Sequence, residues 1–189
     1  MFANPNSSAP LCPYCYLSGT EPVGGHVISR GKSSRAIPVC AAAVAAFGSM
    51  IAALPANAYT DQGGAVLGQI NAERAANGCA PVAANPQLTA SAARHANDML
   101  ANGVHSHTGS DGSSLVQRVT DAGYAPYQTV GEVVYWGTGS VGTPAAAVTS
   151  WMNSPGHRAI ITNCGLTEAG FSAVSNGNKM TVAGDFGKK

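Results

Sequence analysis

The chain has 189 residues, with ten Lys or Arg against nine Asp or Glu and a formal net charge of +1. That length suits one domain with appendages, and a charge so near zero excludes the basic face that nucleic acid or an anionic membrane surface would require. Apolar residues make up 45% of the chain, the ordinary share for a soluble globular core.

Arg30, Lys32 and Arg35 stand just ahead of an apolar run from Ala36 to Leu54, which Pro55 and Ala56-Asn57-Ala58 follow. Basic, apolar and small-residue regions in that order make a secretory signal. An uncleaved anchor is the competing reading, since the run is nearly long enough to span a bilayer. The Ala-rich composition, Pro55 and the A-x-A site favour cleavage between Ala58 and Tyr59, which leaves no stable membrane anchor. Residues 1–58 are therefore expected to be leader and signal, with about 29–58 the signal proper, and 59–189 an exported domain. Cys40 follows Val39, which does not make a lipoprotein processing site. Cys12-Pro13-Tyr14-Cys15 lacks the βα context or second ligand pair that redox or zinc chemistry needs, and is read as incidental.

Cleavage would leave two cysteines, Cys79 and Cys164. In an oxidising compartment that pair is expected to form one disulfide, the alternative being two buried thiols. Asp61 to Asn77 has Val66, Leu67, Ile70 and Arg74 at helical spacing, with Gly78 as its stop. Asn85-Pro86 opens a second helix, cap first and Pro at the first helical position. Its apolar face is Leu88, Ala92, His95, Ala96, Met99 and Leu100, and Gly103 ends it. His95 on that face reads as a core histidine.

Val104-His105-Ser106-His107-Thr108 follows as a loop. An H-x-H pair chelates a metal only if both rings face one way; otherwise both rings are solvated. Ser113 or Ser114 caps a third helix carrying Leu115, Val116 and Val119, which ends at Gly123. Val130 to Gly137 reads as a strand and contains Glu132. Gly137-x-Gly139-x-x-Gly142 lies between strand and helix like a dinucleotide fingerprint. No parallel strand with an acid at the needed spacing follows, so a surface loop is the better reading.

Thr143-Pro144 starts an Ala-rich helix that runs to Trp151. Ser154-Pro155 then restarts the chain as a short helix with His157 in its first turn, where the positive helix end disfavours imidazolium. Neutral imidazole binds metal or accepts a proton; a plain helix restart with a surface histidine fits the spacing equally well. Gly170 to Val174 and Met180 to Phe186 read as two strands joined at Asn176-Gly177.

Helices early and strands late make an α+β pattern. Two imidazoles and a carboxylate, His107, His157 and Glu132, could bind Zn²⁺ with an open position or form an acid–base pair. No Ser or Cys nucleophile motif is evident.

These residues resemble the CAP superfamily of cysteine-rich secretory proteins (SCP domains), in its bacterial branch. The matching stretches are Ile70-Asn71-Ala72-Glu73-Arg74, Asn85-Pro86-Gln87-Leu88, Ser106-His107-Thr108, Gly131-Glu132, and Trp151 through Arg158. The resemblance implies a three-layer α-β-α sandwich with a central antiparallel sheet. It also implies a cleft holding His107 and Glu132, with His157 near it. Several polar positions differ: Val133 stands where the family usually has Asn, Ile160 for Asn, Glu168 where His is frequent, and Met180 to Gly184 for an aromatic-Trp-Thr-Gln strand. No second Glu stands near Ser154. A retained scaffold with altered cleft residues favours a secreted, monomeric protein that binds a ligand, lipid or protein partner without turnover. A metal-assisted hydrolase with Zn in the same cleft, or a purely structural extracellular domain, are the alternatives.

Overall fold

The structure is a computed structural model and describes residues 15–19 and 60–189. In chain order its elements are β1 (Cys15–Gly19), α1 (Gly63–Ala76), β2 (Ala83–Ala84), α2 (Pro86–Asn102), α3 (Leu115–Asp121), β3 (Thr129–Thr138), α4 (Pro144–Met152), α5 (Pro155–Ile161), β4 (Glu168–Asn176) and β5 (Lys179–Lys188). One turn of 3₁₀ helix at Gly139–Val141 occupies the glycine-rich loop between β3 and α4.

Local chemistry sets most of these boundaries. The Asn85 side chain accepts from the backbone N–H groups of Gln87 and Leu88, Pro86 supplies the first helical residue, and Gly103 closes α2 at φ +67°. Ser114 caps α3 and Thr143 caps α4 through their hydroxyls. The β4–β5 hairpin turns on Gly177, whose φ of +59° suits a residue without Cβ.

The sheet runs β1-β3-β5-β4-β2. β3, β5 and β4 pair antiparallel, as expected; β1 adds a further antiparallel strand beside β3, and the two-residue β2 adds a parallel edge beside β4. β1 comes from the stretch read as leader and pairs with Thr129–Val133 of β3. Cys12, the apolar run and the A-x-A site lie outside the described residues. Among the described residues, no helix is long and apolar enough to cross a membrane.

Strand side chains alternate between two faces. Val133, Val182 and Phe186 face α1, α4 and α5 in the larger core with Val66, Ile70, Trp151 and Ile161. Val134, Val174 and Ala183 face α2 with Ala92, Ala96 and Met99, and Val130 joins Leu88, Leu115 and Tyr124 under α3. The result is the three-layer α-β-α sandwich. Gly170 lets α2 press directly on the sheet: a Cβ there would meet the backbone of Leu88 and Thr89.

Two clamps join the loop after α1 to the loop after α5. One is the disulfide Cys79–Cys164, which closes a sequence separation of 85. The other is Arg74, 1% exposed, which donates to the carbonyls of Ala80, Ile161, Asn163 and Leu166 at 2.8 to 3.0 Å. Its helical spacing with apolar residues is explained: it faces inward as a donor.

Candidate functional site

Glu132 lies on β3, and strand alternation turns it toward α2, the same way as Val130 and Val134. It is fully buried. A carboxylate can stand there only with partners, and among the described residues two side chains donate to it. Arg118 of α3, 1% exposed, donates from Nη2 to Glu132 Oε2 at 2.6 Å. His107 lies 2.6 Å from Glu132 Oε1 through Nδ1. A carboxylate only accepts, so Nδ1 carries the proton. That leaves Nε2 as the ring's acceptor while His107 is neutral, and among the described residues it has no partner. Burial pushes the Glu132 carboxyl up, but the His107 hydrogen bond and the Arg118 charge outweigh it and hold the carboxyl below its ordinary value.

Arg118 also fixes the loop that carries His107. It donates to the Ser113 carbonyl at 2.8 Å and to the His107 carbonyl at 3.1 Å. From the other side His95 donates Nε2–H to the Ser106 carbonyl at 2.9 Å. His95 is thus the expected core histidine, its pKa lowered by burial, and its ring also holds the loop in place.

The H-x-H pair does face one way, toward β3, but its rings go to different partners. His105 stacks on Trp136 with centroids 4.4 Å apart and planes 2° from parallel, while His107 goes to Glu132. His157, in the first turn of α5, stands apart from both. It lines a pocket of about 290 Å³ with Val134, Tyr135, Trp136, Ser150 and Trp151. Trp151 is fixed there by donating Nε1–H to the Val134 carbonyl at 2.9 Å, edge-on to Tyr135. The structure therefore joins His107 to Glu132 directly and sets His157 apart from them, in the lining of the aromatic pocket. Among the described residues, no group of three or more His, Cys, Asp or Glu gathers closely enough to hold a metal ion.

Three members escaped motif reading. Arg118 reads as one polar residue in an amphipathic turn. Trp136 reads as strand. Asp185, fully buried, pairs directly with Glu132 across the β3–β5 ladder. Its signal was present: a lone carboxylate inside the apolar stretch Met180 to Phe186.

No curated protein matches the chain. Among solved structures it is similar to an extracellular protein containing an SCP domain from Bacillus anthracis, 24% identical with a TM-score of 0.56 over 67% of this chain and 40% of that one. It is also similar to an outer surface protein from Borrelia burgdorferi, 19% identical with a TM-score of 0.58 over 67% of this chain and 91% of that one. A cysteine-rich secretory protein from Staphylococcus aureus is 20% identical with a TM-score of 0.50 over 68% and 40%. The chain thus spans two fifths of the Bacillus and Staphylococcus proteins, and at these identities the likeness is one of fold. The model of the cysteine-rich secretory protein family, CAP, matches residues 67–186, more than half of the chain and the whole of the site, so the chain belongs to the CAP family.

Proposed function

We propose that this is an exported CAP-domain protein that binds a ligand or partner at His107 and at the aromatic pocket further along β3, without turning it over. The observation that carries the reading is the anchored imidazole. Glu132 holds Nδ1 and leaves Nε2 buried and without a partner among the described residues, and further along the same strand lies a pocket walled by Tyr135, Trp136 and Trp151. A carboxylate that fixes one ring nitrogen presents the other as an oriented hydrogen-bonding group. His107 holds no Ser or Cys, the arrangement that nucleophilic catalysis would use. Export is supported by the basic–apolar–A-x-A order and by the extracellular and outer-surface descriptions of the similar proteins.

The test is to recover the secreted protein and identify by mass spectrometry what it carries. Replacing His107 by Ala removes one hydrogen-bonding contact and is expected to lower occupancy about tenfold. A wild type that carries nothing, or a folded His107→Ala that carries the same amount, would sink the reading. The N-terminus of the same sample is expected to be Tyr59. A secreted form that retains Arg30 to Arg35 overturns the cleavage site.

The second reading, a metal-assisted hydrolase, rests on the same Nε2, which is buried and without a hydrogen-bond partner among the described residues. His107 and Glu132 alone fall short of the three protein ligands usual in catalytic zinc sites. Calorimetric titration is expected to show Zn²⁺ binding of roughly micromolar strength or weaker, fading in mild acid as protons compete for imidazole nitrogen. Nanomolar binding abolished by His107→Ala would favour the hydrolase.

A further inference from the structure

Glu132 and Asp185 occupy directly opposed positions on β3 and β5, and both are fully buried. Side chains at such paired positions lie within a few ångströms of one another. One guanidinium serves the two carboxyls, and it is turned to Glu132. Among the described residues, neither oxygen of Asp185 has a hydrogen-bond partner. On its other side Asp185 pairs with Gly170, which offers no side chain and lets the α2 backbone close over the strand. The groups acting on Asp185 are Glu132 from β3, Ser91 from α2 and Arg118 from α3. His95 from α2 and His107 from the loop act on Glu132. A second full negative charge in so dry a place, with its counter-ion already taken, is the arrangement in which two carboxyls share one proton.

We propose that Asp185 is the second carboxyl of this site and stores its proton: it stands neutral at neutral pH, which keeps the pair's single charge on Glu132, where it orients His107. Burial first, and then the Glu132 charge, push the Asp185 carboxyl well above its ordinary value. Arg118 and His107 both face Glu132, so the proton resides on Asp185. Asp185 is thus a positioning residue, acting on His107 through Glu132. Its ionisation at higher pH sets a like charge beside Glu132 and weakens the anchor of His107.

The sign for stability follows from linkage. A carboxyl whose folded value is raised contributes stability that is fully present below its unfolded value and is lost as pH rises toward the folded one. Asp185→Asn, which keeps shape and neutrality, is therefore expected to match wild type in acid and to exceed it increasingly as pH rises from about 4.

The consequence for ligand binding rests on the function proposed above, but the protonation state does not, and it is read on the full chain with nothing bound. Infrared spectroscopy at neutral pH is expected to show the C=O band of a protonated, desolvated carboxyl. Labelling with ¹³C-aspartate should shift that band. Of the chain's five aspartates, Asp185 alone is buried, so the isotope shift identifies it without a variant, even if Asp185→Asn fails to fold. A folded Asp185→Asn should lose the band, and His107→Ala should keep it. Absence of an aspartate-sensitive neutral carboxyl band, or a ¹³C resonance for Asp185 that titrates in the ordinary carboxylate range, overturns the proposal whatever the ligand experiments show.

Discussion

Arg118→Met is expected to destabilise the protein by about 3–5 kcal/mol, because it strips the counter-ion from a carboxylate that has no access to water. In a domain of this size that lowers Tm by roughly ten degrees or more. The loss should not be constant with pH. Glu132 is held below its ordinary value by His107 and Arg118, so its contribution is present above the unfolded carboxyl range and disappears as pH falls. The gap between wild type and Arg118→Met should accordingly narrow in acid. Neutralising the carboxylate as well, in Arg118→Met/Glu132→Gln, should recover much of the loss at neutral pH, since a buried pair replaced whole costs far less than one broken. Equilibrium urea unfolding at several pH values checks all three statements. An Arg118→Met variant within about 1 kcal/mol of wild type, the range of an exposed ion pair, would show that the pair is not desolvated as described.

Opening the Cys79–Cys164 disulfide is expected to have an effect of similar size by a different route. In the chain-entropy model, a cross-link over a separation of 85 stabilises by about 4.5 kcal/mol at 25 °C. The gain lies in the denatured state, which is denied its extended conformations. In the native state Arg74 already holds the same two loops through four carbonyls. The reduced protein, or Cys79→Ala/Cys164→Ala, should therefore keep the native far-ultraviolet spectrum while its urea midpoint falls sharply. Coincident midpoints for oxidised and reduced protein would refute this account, as would two freely alkylated cysteines in the native, air-exposed protein.

Much of the fold could be read one segment at a time. Asn85-Pro86 and Gly103 bound α2, Ser114 opens α3, Thr143-Pro144 opens α4, and Ser154-Pro155 restarts the chain as α5. These signals act within a turn or two, so the chain expresses them wherever it lies. The same holds for Gly177 in the hairpin, although the strands meet one residue later than Asn176-Gly177 suggested, across Gly177 and Asn178. His107, Glu132 and His157 stood out because their neighbours form short motifs. The two-residue β2 carried no such signal: two alanines pair with β4 because of where β4 runs.

What only the tertiary structure decided is which of these residues meet. Motif reading put His107, His157 and Glu132 in one constellation; packing joined the first and third and placed His157 against the aromatic pocket. His105 found Trp136, and Arg118 found Glu132. Asp185 became the partner of Glu132 through the register of β3 on β5, where a slip of one residue would have turned it to the other face. Helix caps and turns are local because a hydrogen bond to a neighbour needs only the neighbour. Burial, counter-ions and shared protons depend on segments tens of residues apart, and sheet register and helix packing bring those together.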